Sequence, residues 1–397
     1  MLLRTAGSIA GGLLAAEGLL RLFTDRAVLA TSHHRLFCEF DPQLGWRKKP
    51  NGRGFHVTPE YQVYERFNSR GLRSREFDIG NAKHERRILF LGDSYAEGYS
   101  VHFHELFSER LELELNARGD AKYRSINAGT GGYSTDQELL YFQNEGREFQ
   151  PDLTILMFYE NDLMDNTAAV THRGFRKPLY RVDRDERAVP VNLPLEAPAT
   201  KSDPRRPSLG ERVIGQSHLL SMIAASLQQI AVIAEMAQRK FATRRLDYEI
   251  PMELRVWEHR PPESIEQAWQ LTTALIAELR RSVEDAGSRL LVFYVPPEAA
   301  VYPELFTTMC NVWGMERDRV SPDTVGRRLG EWCAAKQLRF INASDEFRVE
   351  ARRLERNGSA RLYYPLDGHW TRAGHALAAR ILGQSIDLAA HTATQSR

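Results

Sequence analysis

From Arg86 onward, short apolar runs alternate with longer segments in which apolar residues recur at the spacing of a helix. This alternation constrains the fold strongly, because parallel strands need helical crossovers, and those helices cover the faces of the sheet. The sequence therefore predicts an α/β fold of three layers, with helices on both sides of a parallel sheet. The runs that qualify as strands are Ile88–Leu91, Tyr123–Asn127, Leu153–Tyr159, Leu290–Val295 and Leu338–Ile341.

Signals at helix ends support this interpretation. Phe107 and Leu115 belong to an apolar stripe, and Gly119 stands where a left-handed glycine would end that helix. Thr135 and Glu138 have the spacing of a capping box, which predicts that the next helix opens at Thr135.

Changes in composition mark the organisation of the chain. Residues 1–30 are expected to form a signal or membrane-anchor segment, and residues 31–85, rich in Gly, Pro, Arg and aromatic residues, predict an irregular β segment. The alternation of strands and helices occupies residues 86–164 and 263–390. Residues 165–262 interrupt it and are expected to form an inserted helical cap or lid. The prediction is one α/β domain with an N-terminal addition and an insertion.

Within the insertion, an apolar stripe predicts one long helix from about Ser217 to Phe241. Basic residues follow the stripe, so the helix suits a lid or a contact with a membrane surface. A cap helix packed on the core is the simpler interpretation, because ordinary globular helices show the same stripe.

The N-terminal residues indicate in which cellular compartment the protein acts. Residues 5–16 are uncharged, a run whose length suits the apolar part of a signal peptide better than a membrane span of about 18 residues. Glu17 and Arg21 have helical spacing for an ion pair, which would extend the apolar stripe into an anchor. Residues 28–30 have the small-residue spacing of a cleavage site. Export or membrane tethering is the favoured prediction, and a cytoplasmic amphipathic helix packed on the domain is the alternative.

The overall charge argues against partners that are attracted by a large net charge on the protein. The chain has 53 Lys and Arg against 52 Asp and Glu, a formal net charge of +1, so no nucleic-acid partner is expected. Its three cysteines, Cys38, Cys310 and Cys333, form no CxxC pair and are too few for a disulfide framework or a structural zinc site. A single bridge between Cys310 and Cys333 stays open if the chain is exported. Neither a metal nor a cofactor is expected.

Chemically distinctive residues concentrate where the predicted strands end, which is where ligands bind in an open α/β sheet. A Gly-Asp-Ser turn at residues 92–94 follows the first strand, a glycine-rich turn at residues 127–132 follows the second, and Glu-Asn-Asp at residues 160–162 follows the third. Far downstream, Asp367 and His369 precede the last helix, in a loop that is expected to be extended, so that both side chains point to the same side. A hydroxyl, backbone amides, a side-chain amide and an imidazole are therefore expected at one edge of the sheet.

These groups match the requirements of ester cleavage by serine. Such chemistry needs a nucleophile, a base, a group that orients the base, and donors for the developing oxyanion. Ser94 is the predicted nucleophile, His369 the general base and Asp367 the group that orients it. The backbone N–H groups of Ser94 and Gly132 and the side-chain amide of Asn161 are the predicted oxyanion hole.

Competing assignments are weaker. His375 lies inside the final helix, where a packed histidine is expected, so His369 is the predicted neighbour of Ser94. Residues 92–96 lack the second glycine of a nucleophile elbow, which disfavours a conventional α/β-hydrolase. The glycines of residues 129–132 lack the GxGxxG spacing of a dinucleotide site.

Together these motifs resemble the motif blocks of the SGNH hydrolases, the GDSL-type esterases and lipases. The resemblance covers residues 86–162 and 269–382 and extends to the bacterial branch with a short N-terminal membrane or signal segment. Many members carry their Asp three residues before the His, whereas here Leu366 occupies that place and Asp367 lies one residue later. The blocks that match are residues 90–95, 127–135, 161–162 and 367–375.

The resemblance implies a flavodoxin-like fold and a serine esterase that hydrolyses O-acyl esters through an acyl-enzyme, without a cofactor. Substrates in such a family span lipids, acetylated glycans and small esters, and fold alone does not identify the substrate. Two alternatives stay open. One is an O-acyltransferase on envelope glycans, in which a sugar hydroxyl replaces water, and the other is a catalytically inactive envelope scaffold or glycan-binding protein. Membrane contact through the N-terminal segment is a further expectation.

Overall fold

A computed structural model describes residues 2–23, 37–80, 85–171, 174–197, 217, 219–220, 223, 250–358 and 360–394. The strands in chain order are β1 (Cys38–Asp41), β2 (Gly45–Lys48), β3 (Arg53–Val57), β4 (Gln62–Arg66), β5 (Arg86–Gly92), β6 (Tyr123–Asn127), β7 (Leu153–Phe158), β8 (Tyr180–Val182), β9 (Ala188–Pro190), β10 (Arg289–Tyr294) and β11 (Arg339–Asn342). The helices are α1 (Leu2–Phe23), α2 (Ser94–Glu97), α3 (Phe107–Arg118), α4 (Thr135–Asn144), α5 (Asp162–Asp165), α6 (Met252–Arg255), α7 (Glu263–Asp285), α8 (Glu298–Val301), α9 (Pro303–Trp313), α10 (Thr324–Ala335), α11 (Ser344–Arg356) and α12 (Arg372–Thr394).

A parallel sheet with the strand order β11-β10-β7-β5-β6 lies at the centre of the fold. Counted along the chain within this sheet, the order is the 2-1-3-4-5 arrangement of flavodoxin-like proteins. The order reverses between β5 and β7, so the loops after these two strands lead to opposite faces and leave a crevice between them. The predicted α/β fold class and its strands are confirmed.

Strand β7 is buried along its whole length, as its continuous apolar run predicts. Its alternate residues serve opposite faces of the sheet. Leu156 and Phe158 pack in the core that includes α7, whereas Ile155 and Met157 pack in the core that includes α3 and α12. Each face of the sheet thus has its own apolar core under a layer of helices.

The helix-end predictions had different outcomes. Helix α3 ends as predicted, because Gly119 follows it in the left-handed conformation with φ of 76°. Helix α4 begins at Thr135 as predicted, but the capping box is wrong, since Ser134 is the N-cap and no side-chain capping bond forms. The Thr135 hydroxyl donates instead to Asp162 Oδ2 at 3.2 Å, and the buried Glu138 carboxylate bonds to none of the described residues. Tertiary contacts have replaced the local cap.

The N-terminal segment is joined to the α/β domain by buried charges. Residues 37–80 contain two antiparallel hairpins, β1 with β2 and β3 with β4. Lys48 is buried and donates to Glu97 Oε1 at 2.6 Å, while Gly131 N donates to Glu97 Oε2 at 2.6 Å. The buried Arg73 guanidinium donates to the carbonyl oxygen of Glu97 at 3.1 Å. The segment therefore holds both α2 and the glycine-rich turn after β6.

Replacing Lys48 with methionine is expected to lower the free energy of unfolding by about 3–5 kcal/mol, because it removes the cation that neutralises the buried charge of Glu97. Lys122→Met is the matched control. Lys122 pairs with Glu85 through a side chain that is 53% exposed, and surface pairs contribute about 0–1 kcal/mol. Urea unfolding followed by circular dichroism measures both variants. An equally small loss in the two would contradict this role for Lys48.

The described part of the insertion begins with strands. Residues 174–197 contain the hairpin β8 with β9. Lys177 precedes it and is buried, donating to Asp136 Oδ2 at 2.6 Å and Ser134 Oγ at 2.7 Å, which fastens the insertion to the start of α4. The predicted helix from Ser217 to Phe241 lies almost entirely outside the described residues, and the boundaries of the insertion remain predictions.

Helix α1 contains the expected ion pair between Glu17 and Arg21, at 2.7 Å. Glu17 Oε2 also accepts from Ser217 Oγ at 2.8 Å and Leu219 N at 2.9 Å, which joins α1 to the insertion. Of the helices that the described residues form, none combines the length and apolar character needed to cross a membrane. The expected cleavage site at residues 28–30 lies outside the described residues.

All three cysteines lie within the described residues, where each is a buried free thiol. Cys310 and Cys333 are therefore not bridged. Burial raises the pKa of the Cys333 thiol to about 12 and that of Cys38 to about 11, so both stay protonated near neutral pH. Buried thiols of this kind are unreactive.

Candidate active site

Ser94 is the first residue of α2 and is separated from the end of β5 by one residue, Asp93. A Cβ added to Gly92 would lie 2.9 Å from Met157 Cβ on the neighbouring strand, closer than real Cβ contacts, so the turn into the helix requires glycine. Asp93 caps the helix, because its carboxylate accepts from Tyr95 N at 2.8 Å. The turn places a partly buried Ser94 side chain at the carboxyl edge of the sheet.

His369 lies between Ser94 and Asp367. Its Nε2 is 2.8 Å from Ser94 Oγ, and its Nδ1 is 2.6 Å from Asp367 Oδ1. When Nδ1–H donates to the carboxylate, Nε2 keeps the lone pair that can accept the proton of the serine hydroxyl. The structure thus brings together the three side chains singled out in the sequence, and their catalytic roles remain a prediction.

The loop that carries Asp367 and His369 is a closed turn, so the expectation of an extended loop is wrong. Gly368 N donates to Tyr364 O at 2.8 Å, and Tyr364 N donates to His369 O at 2.8 Å. Gly368 has φ of 82°, a left-handed value that favours glycine. Asp and His can therefore pair at this short spacing because the turn, rather than strand alternation, brings the carboxylate to the imidazole.

Burial and charge set the protonation of the pair. Burial acts to raise the pKa of Asp367, but the charge and hydrogen bond of His369 together lower that pKa to about 2. Burial acts to lower the pKa of His369, but the Asp367 carboxylate raises it above the usual histidine value. An ionised Asp367 thus strengthens His369 as a proton acceptor, which is what a general base requires.

The predicted oxyanion donors follow the ends of β5, β6 and β7. The N–H groups of Ser94 and Gly132 donate to no acceptor among the described residues. Gly131 is beside the nucleophile, since a Cβ built on it would lie 3.8 Å from Ser94 Cβ. Asn161 Nδ2 donates to Asp165 Oδ2 at 3.0 Å, a contact that the sequence did not predict. An amide nitrogen carries two hydrogens, so this bond occupies one of them.

His375 lies inside α12 and is buried, as predicted. Its ring stacks on Phe107 with centroids 5.9 Å apart and meets the edge of Trp370 at 5.6 Å. Burial lowers the pKa of His375 well below the usual value, so its ring stays neutral. The imidazole that contacts Ser94 belongs to His369.

The sequence did not reveal the residues that support the triad from outside its motifs. The Tyr61 hydroxyl donates to Asp367 Oδ2 at 3.0 Å, and Asp367 N donates to Glu60 Oε2 at 2.6 Å. The Tyr99 hydroxyl lies 3.1 Å from both ring nitrogens of His369. Tyr61 and Asp367 are 306 positions apart, and nothing in the local sequence marks such a pair.

Residues 254–397 match the model of a family described as an SGNH hydrolase-like domain, acetyltransferase AlgX. This match confirms the resemblance to SGNH hydrolases. The matched range includes Asp367 and His369, whereas Ser94, Gly132 and Asn161 precede it. No curated protein sequence matches the chain.

Solved structures similar to this chain include a GDSL-like lipase from Bacteroides thetaiotaomicron, with 14% identity and a TM-score of 0.35 over 78% of this chain and 91% of that chain. A lipase/acylhydrolase from Enterococcus faecalis has 14% identity and a TM-score of 0.34 over 76% of this chain and 95% of that chain. An acetyl xylan esterase has 9% identity and a TM-score of 0.36 over 76% of this chain and 99% of that chain.

Proposed function

This chain carries an SGNH hydrolase-like domain, and we propose that it cleaves O-acyl carboxylic esters through an acyl-enzyme formed on Ser94. The observation that carries the proposal is the chain of contacts from Ser94 Oγ to His369 Nε2 at 2.8 Å and from His369 Nδ1 to Asp367 Oδ1 at 2.6 Å. A hydroxyl bonded to an imidazole that a carboxylate orients is an activated nucleophile.

In the first step, Ser94 Oγ attacks the ester carbonyl carbon while its proton moves to His369 Nε2. Asp367 stays ionised and stabilises the imidazolium. The negative charge on the carbonyl oxygen is stabilised by the predicted donors, the N–H groups of Ser94 and Gly132 and the amide of Asn161. The C–O bond to the leaving alcohol then breaks, and His369 returns the proton to that alcohol, which leaves an acyl group on Ser94.

In the second step, a hydroxyl compound attacks the acyl-enzyme and gives its proton to His369, which then returns a proton to Ser94 Oγ. Water in this step produces a carboxylic acid and makes the enzyme a hydrolase. A sugar hydroxyl produces a new ester and makes it an O-acyltransferase. The family model that residues 254–397 match is described as an acetyltransferase, which is the observation in favour of transfer.

An acetyl ester with a chromogenic alcohol, p-nitrophenyl acetate, tests both functions when supplied with and without an oligosaccharide acceptor. Release of the alcohol by the wild type, abolished in Ser94→Ala, is the result that the proposal requires. Free acetate as the product identifies a hydrolase, and an acetylated oligosaccharide formed at the expense of acetate identifies a transferase. A wild type that neither releases the alcohol nor becomes acetylated on Ser94 would contradict the proposal and favour the inactive scaffold.

Asn161→Ala is expected to lower kcat for p-nitrophenyl acetate by roughly 10²–10³, the usual cost of losing one oxyanion donor, with KM little changed. Asn116→Ala is the matched control. The Asn116 amide bonds to Tyr123 at the opposite end of the sheet, so its loss is expected to leave kcat unchanged. Steady-state kinetics of the two variants measure the difference.

Asn161→Ala removes both the predicted oxyanion donor and the hydrogen bond from Asn161 to Asp165. Asp165→Asn changes only the partner in that hydrogen bond, so it shows which of the two losses lowers kcat. A role in the oxyanion hole predicts a smaller loss of kcat in Asp165→Asn than in Asn161→Ala, because the amide of Asn161 stays in place. A change confined to KM in Asn161→Ala would instead assign Asn161 to substrate binding.

We also propose that the chain acts outside the cytoplasm, exported or tethered through residues 1–30, on an ester of a glycan or a lipid. The uncharged run at residues 5–16 supports the location, because it has the length of the apolar part of a signal peptide. The partly exposed setting of Ser94 supports a substrate that enters from solvent.

A further inference from the structure

We propose that Tyr61, on the hairpin that precedes the α/β domain, is a positioning residue that holds the Asp367 carboxylate in its catalytic orientation. The inference rests on the proposed function of the Ser94 site. It gives the N-terminal segment a role in that site, although Tyr61 lies outside the matching motif blocks and outside the range that matches the family model.

The two oxygens of the Asp367 carboxylate have different partners. Oδ1 accepts from His369 Nδ1 at 2.6 Å and from His369 N at 3.3 Å. Oδ2 accepts from the Tyr61 hydroxyl at 3.0 Å. A carboxylate bonded through one oxygen can rotate about its side-chain torsion, whereas bonds to both oxygens fix its plane. Tyr61 therefore directs Oδ1 toward the imidazole.

The backbone of Asp367 is held from the same hairpin. Glu60 precedes Tyr61, and its carboxylate accepts from Asp367 N at 2.6 Å and from Leu366 N at 3.0 Å. These contacts fix the first half of the turn through Gly368, where the chain bends toward His369. One short piece of hairpin thus positions both the main chain and the side chain of Asp367.

The Tyr61 side chain is itself fixed by packing. Its ring is buried, lying 4.9 Å from the ring of Tyr364 and 5.3 Å from the ring of His56, measured between centroids. Burial and the nearby carboxylate raise the pKa of Tyr61 above the usual tyrosine value, so the hydroxyl keeps the proton that it donates. A rigid donor costs little rotational freedom when the hydrogen bond forms.

The hairpin turn supplies this geometry. Strands β3 and β4 pair from Arg53 with Arg66 to Val57 with Gln62, and Thr58 N donates to Tyr61 O at 2.9 Å across the turn. The turn faces the Asp367 loop, while Tyr64 points its side chain outward and is 41% exposed. The two tyrosines of the hairpin therefore have different surroundings and provide a matched pair for mutation.

Tyr61→Phe is expected to lower kcat for p-nitrophenyl acetate by roughly tenfold with KM unchanged. The variant loses the hydrogen bond to the Asp367 carboxylate, which orients His369, and makes no change to substrate binding. Tyr64→Phe removes the same hydroxyl from the exposed face and is expected to leave kcat unchanged. Thermal melting checks that both variants fold. A kcat for Tyr61→Phe within twofold of that of a folded wild type would overturn the inference.

A double-mutant cycle separates positioning from general structural support. If Tyr61 acts through Asp367, adding Tyr61→Phe to Asp367→Asn is expected to produce no further loss of kcat, whereas an independent structural effect would again cost about tenfold. An additive result overturns the inference and leaves the proposed function intact. If the proposed function itself is wrong, the wild type does not turn over the ester, and this result is distinct from an additive cycle.

Discussion

Replacing Ser94 with alanine is expected to reduce kcat for ester cleavage by roughly 10⁵–10⁶, because the variant has no nucleophile to form the acyl-enzyme. The fold is expected to survive. The Ser94 side chain is partly exposed and donates to no main-chain group of the described residues, and the turn depends on Gly92 and the Asp93 cap instead. Steady-state kinetics with p-nitrophenyl acetate, together with thermal melting, measure both properties.

Ser69→Ala is the matched control for this prediction. Ser69 is exposed, and its hydroxyl donates to a carboxylate, Glu76 Oε2, at 2.7 Å rather than to an imidazole. Its loss is expected to leave kcat within twofold of the wild type. A Ser94→Ala variant that folds and keeps more than a hundredth of the wild-type kcat would contradict the assignment of the nucleophile.

Replacing Asp367 with asparagine is expected to reduce kcat by about 10⁴, less than the loss of Ser94 or His369. The amide of asparagine can donate to His369 Nδ1, which would place the imidazole proton on Nε2 and remove the lone pair that accepts the serine proton. The charge that stabilises the imidazolium also disappears. The reaction then depends on the oxyanion hole and on substrate binding alone.

Asp345→Asn provides the control for this change of charge. The Asp345 side chain is 89% exposed and pairs with Arg348 on α11, so the same substitution there is expected to leave kcat unchanged. A loss of less than tenfold in Asp367→Asn would show that another group orients His369. In many family members the Asp lies three residues before the His, whereas Asp367 lies two residues before His369. This variant therefore tests whether a carboxylate at the shorter spacing orients the imidazole.

The sheet could be predicted because its signals are local. Apolar runs such as Leu153–Phe158 mark strands buried on both faces, and strand ends in such a sheet converge on one edge. Ser94 lies at that edge because it follows β5, and the loop before α12 brings His369 Nε2 to within 2.8 Å of its Oγ. Two predictions of local geometry were wrong, because the loop at Gly368 is a turn rather than an extended segment and no capping box forms at Thr135.

The supporting contacts could not be predicted because they join segments far apart in the chain. Tyr61 meets Asp367 only after the β3 and β4 hairpin packs on the loop before α12, and Lys48 meets Glu97 only when β2 covers α2. A tyrosine in a hairpin and a lysine at a strand end are ordinary residues in the sequence. Their surroundings, and not their types, give them a role.

Labelling with a fluorophosphonate probe, followed by peptide mapping, shows whether His369 activates Ser94 as a nucleophile. The serine oxygen displaces fluoride from the phosphorus of the probe, and the serine proton leaves through the base, so labelling reports the activated hydroxyl without knowledge of the natural substrate. This role for His369 predicts that the wild type is labelled on Ser94 and that Ser94→Ala and His369→Ala are not labelled. An unlabelled wild type, a label on another serine, or full labelling of His369→Ala would contradict it.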